Sequence, residues 1–183
     1  MTGTGASGRR GSAGARAAVE WLAAAAPDPG ACRREWERDP LGTALLPAGR
    51  RWDVLIVPEW LGRPALEVLH RLVERPGPVL RGFGGERTGF FVPVGTAARW
   101  VGTGTRTAGR GAWIAVPHPG RVVGAARWLV LPDGSGTLTE PALLELALHE
   151  AAGRIAGGGE GGGGDGGGDG GERGGGGGGD GRA

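Results

Sequence analysis

A short apolar run, Trp52 to Val57, constrains the fold of this chain more than any other segment. It has the length of a β-strand, and only Asp53 interrupts its apolar side chains. A turn-forming segment, Pro47 to Arg50, precedes it. A helix with an apolar stripe, opened by Gly62-Arg63-Pro64, follows it and runs to about Glu74. We therefore expect this strand to be buried at the centre of the fold, with any catalytic centre built from the residues just after it.

The two ends of the 183-residue chain have compositions that disfavour folding. Residues 1–16 are rich in Gly, Ser, Thr and Ala, and residues 157–183 are almost entirely Gly with scattered charged residues. Such segments have little apolar surface to bury and lose much backbone entropy on ordering. The sequence therefore predicts disordered termini and one folded domain, residues 17–156, which is large enough to form its own core.

Between these ends, helical and strand-like patterns follow one another. Further helices are predicted at 17–26, 31–38, 97–101 and after Thr139, which would cap the last helix. The helix at 31–38 has Asp28 as its predicted N-cap, Pro29 at its first position, and Cys32 and Trp36 four apart on one face. Strands are predicted at 41–46, 79–80, 90–94, 112–116 and 126–131. Two Gly-rich stretches, 82–89 and 102–111, are predicted as loops. Helices that bracket a set of short mixed strands predict a single α+β domain.

Charge and cysteine content exclude several classes of protein. The chain has no Lys, its formal net charge is +2, and a basic start is offset by five acids against two arginines in residues 157–183. We therefore take the basic balance as no evidence for nucleic acid binding. Cys32 is the single cysteine, which excludes an internal disulfide framework. No segment has the pattern of a secretory signal or the length of a membrane span, so we expect a cytoplasmic protein with no membrane partner.

The two Gly-rich loops invite comparison with phosphate-binding loops. Residues 82–89, GFGGERTG, lack the Lys-Ser/Thr pair of a P-loop, and residues 102–111 lack the spacing of a dinucleotide fingerprint. Ordinary loops are favoured for both. Arg87, Arg106 and Arg110 nevertheless lie on these loops and could meet an anion, since Arg is suited to phosphate.

Acids and histidines offer few metal ligands. Glu59 follows the central strand and is the best acidic candidate, although a solvated loop acid is the simpler interpretation. Asp53 stands six residues earlier, about 20 Å away along an extended strand, and is predicted to pair with Arg50 or Arg51. His118 lies between two prolines after a strand, and no histidine has a second ligand at zinc spacing.

Three segments carry a resemblance to a known family: Trp52 to Leu69, WDVLIVPEWLGRPALEVL; Arg87 to Pro93, RTGFFVP; and Thr105 to Pro119, TRTAGRGAWIAVPHP. The chain resembles the N-terminal domain of bifunctional DNA primase–polymerases of the archaeo-eukaryotic primase superfamily. The likeness covers roughly residues 17 to 150, and its third segment is the most specific. It implies a primase–polymerase-like fold and, if the chain is active, Mg²⁺ or Mn²⁺ as cofactor.

The sequence departs from that family at its catalytic positions. Where the family has a metal-binding Asp-x-Asp, this chain has Val57-Pro58-Glu59, so Glu59 alone remains as a candidate catalytic and metal-binding residue. Where the family has a phosphate-contacting His, it has Thr88-Gly89, and where the family has a third acid, it has Thr105. Two-metal phosphoryl transfer needs clustered carboxylates.

Three hypotheses follow. The leading one is a catalytically degenerate primase–polymerase-like domain that retains a groove for DNA or nucleotides, lined by Arg87, Arg106, Arg110 and His118. The second is a weak metal-dependent nucleotidyltransferase, in which Glu59 acts with an acid brought in by the fold. The acids considered for this role are Asp53, Glu86 and Asp133. The third is a non-catalytic protein-interaction domain whose terminal segments recruit partners.

Overall fold

The computed structural model describes residues 6–102, 104–121, 123–124 and 126–158. Its helices are α1 (Ala6–Ala23), α2 (Pro29–Arg38), α3 (Glu59–Leu72), α4 (Thr96–Arg99) and α5 (Pro141–Gly158). Its strands are β1 (Thr43–Pro47), β2 (Asp53–Pro58), β3 (Val79–Gly82), β4 (Arg87–Val92), β5 (Arg106–Ala108), β6 (Trp113–Pro117) and β7 (Arg127–Val130). The prediction of an α+β fold is confirmed. No helix within the described ranges is long and apolar enough to cross a membrane.

The strands form two antiparallel sheets. The larger has the order β5-β2-β4-β3-β7, and β1 and β6 form a separate pair. Because β2 and β3 are both antiparallel to β4, they run parallel to each other on either side of it, and α3 connects them. The segment from β2 to β5 is therefore a β-α-β-β-α-β unit of the split βαβ type. In this unit β2 is flanked by strands on both sides, as the sequence predicts.

The central strand is buried on both faces because its side chains alternate between two cores. Val54 and Ile56 pack on the face covered by α1, α2 and the β1–β6 pair. Leu55 and Val57 pack on the opposite face against α3 and α5. Asp28 caps α2 by accepting the backbone N–H of Ala31 at 2.9 Å, which confirms that predicted helix start.

Several predicted boundaries were wrong. The first helix begins at Ala6 rather than residue 17, since extending a helix that already exists avoids the cost of a new nucleus. The third begins at Glu59, whose N–H bonds to the Glu86 carbonyl oxygen at 2.8 Å. Glu140 rather than Thr139 caps α5, because its carboxylate accepts the N–H of Leu143 at 2.9 Å.

The predicted loop at 102–111 contains a strand, β5, which pairs with β2. Of its three residues only Ala108 is buried, so the segment has the composition of a loop. The predicted disordered segments fall partly outside the described residues: 1–5 and 159–183 lie beyond them, whereas residues 6–16 belong to α1 and 157–158 to α5.

Candidate functional site

A cleft of about 790 Å³ opens between β5 and β6, which are joined by one turn but belong to different sheets. Its lining combines the apolar side chains of Ile56 and Ile114 with Trp113, Arg106 and the turn between β3 and β4. Trp113 is 55% exposed, so part of its indole is free to meet a ligand. The cleft thus offers an aromatic surface and a cation beside an apolar floor.

The turn between β3 and β4 forms one wall of the cleft. Gly82, Phe83, Gly84 and Gly85 all have positive φ angles, of 145°, 50°, 73° and 156°. The Gly85 N–H bonds to the Gly82 carbonyl oxygen at 3.2 Å, and this pattern is that of a type I′ hairpin turn. The segment is therefore a tight hairpin rather than a phosphate-binding loop that opens a helix.

Phe83 holds its strained conformation because its ring has a place to pack. A side chain on Gly89 would collide with that ring, so the absence of a Cβ at Gly89 lets the ring lie flat on β4. The ring also packs against the core beneath the β1–β6 pair. Phe83 was not predicted as a site residue, although a lone aromatic residue among four glycines was a usable sign.

Two of the predicted arginines lie on the cleft face of the sheet. In the strand register, Arg106 is opposite Ile56 and Arg87 is opposite Pro58. Directly opposed residues in antiparallel strands share a face, and Ile56 and Pro58 are two apart on β2. Arg87 and Arg106 therefore point to the same face from either side of β2. Neither forms an ion pair with any residue that the structure describes.

The other two predicted residues lie elsewhere. Arg110 sits in the turn after β5, against Gly49, at the far end of that strand from Arg106. His118 packs edge-on against Trp36, 5.9 Å between ring centroids, and its Nδ1 accepts the N–H of Gly120 at 2.9 Å. Burial lowers the pKa of His118 below its usual value, which favours the neutral ring. The structure thus places Arg87 and Arg106 on one face of the sheet, with Arg106 but not Arg87 in the lining of the cleft, and it places Arg110 and His118 elsewhere.

Glu59, the candidate metal ligand, is held by an arginine that sequence analysis missed. The Nη2 and Nε atoms of Arg81 lie 2.6 and 2.7 Å from Oε2 of Glu59. The same Nη2 lies 3.8 Å from Oε1 of Glu86. A guanidinium therefore stands between the two carboxylates at the position where a shared cation would be needed. The only sign in the sequence that Arg81 belongs to a strand is that it directly follows Val79 and Leu80.

The other acids considered as partners of Glu59 are engaged elsewhere. Asp53 is 1% exposed, and its Oδ2 accepts the backbone N–H groups of Gly95 and Ala97 at 2.8 and 2.9 Å. The predicted pairing of Asp53 with Arg50 or Arg51 was wrong, because the start of α4 supplies these donors instead. Asp133 accepts hydrogen bonds from the hydroxyl and N–H of Ser135, and these hold its pKa below its usual value.

These arrangements do not fit Mg²⁺ or Mn²⁺. Glu59 is neutralised by Arg81, and the described residues contain no group of three or more His, Cys, Asp or Glu side chains able to hold a metal ion. Magnesium sites use one or two free carboxylates together with substrate phosphates. No step of a metal-dependent reaction is therefore assigned to these residues.

Comparisons with known proteins add no assignment: no family model, no curated protein and no solved structure matches this chain.

Proposed function

We propose that this domain binds a nucleotide phosphate, free or within a single strand of nucleic acid, and does not transfer phosphoryl groups. The observation that carries the proposal is the placement of Arg87 and Arg106 on one face of the sheet, on either side of β2 and beside the cleft. Arginine forms bidentate hydrogen bonds with phosphate oxygens. Two such groups with no carboxylate partner among the described residues favour an anionic ligand.

The remainder of the cleft suits a base. Stacking of a base on an exposed aromatic side chain contributes about 1–3 kcal/mol. Trp113 offers such a surface, and Ile56 and Ile114 supply apolar contact beside it. The volume of about 790 Å³ lies within the range usual for sites that bind small organic ligands.

The absence of catalysis in this proposal rests on Arg81. Transfer by two metals requires carboxylates that are free to bind cations. Here Glu59 is paired at 2.6 Å, and its nearest acidic companion, Glu86, faces the same guanidinium. The proposal agrees with the degenerate primase–polymerase-like domain that the resemblance implies. The proposal also keeps the cytoplasmic location that the sequence predicts. A likeness of fold alone would not be enough to assign this function.

The test is a titration of labelled single-stranded DNA, and of a nucleotide with Mn²⁺, at low and physiological salt. Loss of one charge-assisted arginine–phosphate contact should weaken binding about tenfold or more. We expect that loss for Arg106→Ala, together with a shallower salt dependence. Arg110→Ala is the matched control, because Arg110 is exposed on the same segment but away from the cleft. Equal affinities of the Arg106→Ala and wild-type chains would refute the proposal.

Two other outcomes would favour the alternative hypotheses. Nucleotide incorporation that depends on Mn²⁺ and disappears in Glu59→Ala would establish the nucleotidyltransferase and overturn the non-catalytic part of the proposal. A lack of binding even at low salt would overturn all of it and favour the protein-interaction domain.

A further inference from the structure

The segment that follows α5 carries a net negative charge, opposite in sign to the arginines at the cleft. Residues 159–183 are mostly glycine, and they carry five acids against two arginines. The acids are Glu160, Asp165, Asp169, Glu172 and Asp180. The rest of the chain is correspondingly cationic, since the formal net charge of the whole is +2.

We propose that residues 159–183, here called the acidic segment, bind in the cleft of their own chain and exclude phosphate ligands from it. The contact itself stands on the cleft and the charges, whereas its regulatory consequence rests on the proposed function. Of the charged residues that line the cleft, Arg81 is paired with Glu59, and Arg106 stands against the exposed Glu86. Arg87 lies outside the lining but on the same face of the sheet, and its charge makes this region net positive.

Glycine makes the acidic segment suited to this cleft. The opening lies between a hairpin turn and the Trp113 indole, and bulky side chains beside each carboxylate would compete for that space. A chain with carboxylates separated by glycines can bring its backbone close to the walls. Each carboxylate can then take a bidentate position on a guanidinium, as a phosphate would.

The length of the segment is sufficient. It begins after Gly158, and four of its acids fall within the next 14 residues. An extended chain spans about 3.3–3.6 Å per residue, so Asp165 can lie about 25 Å and Glu172 about 45 Å from the end of α5. A domain of this size has a radius of gyration of about 15 Å. Tethering also gives the segment a millimolar effective concentration, so contacts too weak to persist between molecules can form.

Paramagnetic relaxation in the full-length protein tests the contact directly. A nitroxide on Gly167→Cys retains every acid, and Cys32 is too buried, at 6% exposed, to compete for the label. We expect broadened amide signals at residues 83–86, 106–108 and 113–115. The broadening should vanish when the five acids are changed to their amides. Broadening spread evenly over the exposed arginines, or none at the cleft, would overturn the proposal.

A mixed sample identifies which molecule supplies the segment. Spin-labelled chains without isotope are added to isotope-labelled chains without the nitroxide. An intramolecular contact predicts no broadening in the isotope-labelled chains. Broadening at their clefts would mean that a second copy is the source, and would overturn the intramolecular assignment.

Ligand titration then tests regulation. Relative to wild type, the five-amide chain should bind single-stranded DNA about tenfold more tightly, as expected if a millimolar effective concentration competes with contacts of roughly 100 μM affinity. Arg106→Ala should abolish that difference. Equal binding by both chains would overturn the regulatory role while leaving the proposed function intact. Broadening at the cleft without binding of any phosphate ligand would support the contact and refute the proposed function.

Discussion

The buried thiol of Cys32 should make the stability of this protein fall as the pH rises from 9 to about 11. Cys32 lies in α2, 6% exposed. Burial, with a smaller effect from Glu35, raises its pKa from 9.0 to about 11, and Arg33 opposes the rise. The chain has no Lys and no Tyr, the other side chains that titrate in this range. A change of stability between pH 9 and 11 should therefore report Cys32.

The sign follows from proton binding in the two states. Above pH 9.0 the unfolded chain loses the thiol proton, whereas the folded chain keeps it up to about pH 11. The folded state then binds more protons, so the free energy of unfolding is fully retained below pH 9 and falls as pH rises toward 11. The slope is at most about 1.4 kcal/mol per pH unit, so the loss over the window is about 2–3 kcal/mol. Such a loss is a large part of the stability of a typical domain.

Urea unfolding followed by tryptophan fluorescence at several pH values measures this loss, with a reductant that carries no thiol. Cys32→Ala is the control: it loses a small buried group, so we expect lower stability than wild type below pH 9 and no decline between pH 9 and 11. Thiolate absorbance in the ultraviolet gives the folded pKa independently. Parallel declines of the wild-type and Cys32→Ala proteins would refute the assignment of the effect to this thiol.

Three further changes have expected outcomes, each measured by urea unfolding. Asp53→Ala removes a buried acceptor from two backbone N–H groups at the start of α4 and should cost about 3 kcal/mol; a cost under about 0.5 kcal/mol would contradict that anchoring role. Gly62→Ala places a Cβ 2.5 Å from the Cβ of Thr88 and should cost about 2 kcal/mol; a cost under about 0.5 kcal/mol would contradict the close packing of α3 on β4. The lowered pKa of His118 means that the unfolded state takes up a proton first as pH falls below 6.5, so stability should decrease there, and His118→Gln should remove that decrease.

Sequence patterns predicted two kinds of element. One is the strand whose side chains are nearly all buried, and the other is the helix whose start is fixed by its own neighbouring residues. The apolar run before Pro58 predicts a buried strand, and β2 is that strand. Asp28 followed by Pro29 predicts a helix start from its own two residues, since the cap and the fixed proline φ need no tertiary partner. The pairing of Cys32 and Trp36 on one buried face follows from their spacing of four.

Features that depend on distant partners were not predictable in the same way. β5 exists because β2 offers an unpaired edge, and its own residues, two of them exposed, give no strand pattern. Asp53 finds its donors more than 40 residues away at the start of α4. The joint placement of Arg87 and Arg106 depends on the register of two strands against β2, which residue types alone do not encode.

The partner of Glu59 decides how the site should be interpreted. Arg81, Arg87 and Arg106 lie at the same end of the sheet, and all three could meet an anion. Arg81 is already committed, because its guanidinium contacts the Glu59 carboxylate at 2.6 and 2.7 Å. That pair removes the carboxylate from metal binding and the guanidinium from phosphate binding at once. Under the proposed function, Arg106 in the cleft and Arg87 beside it supply the attraction for an anion, so phosphate and the chain's own carboxylates would compete for the same two groups.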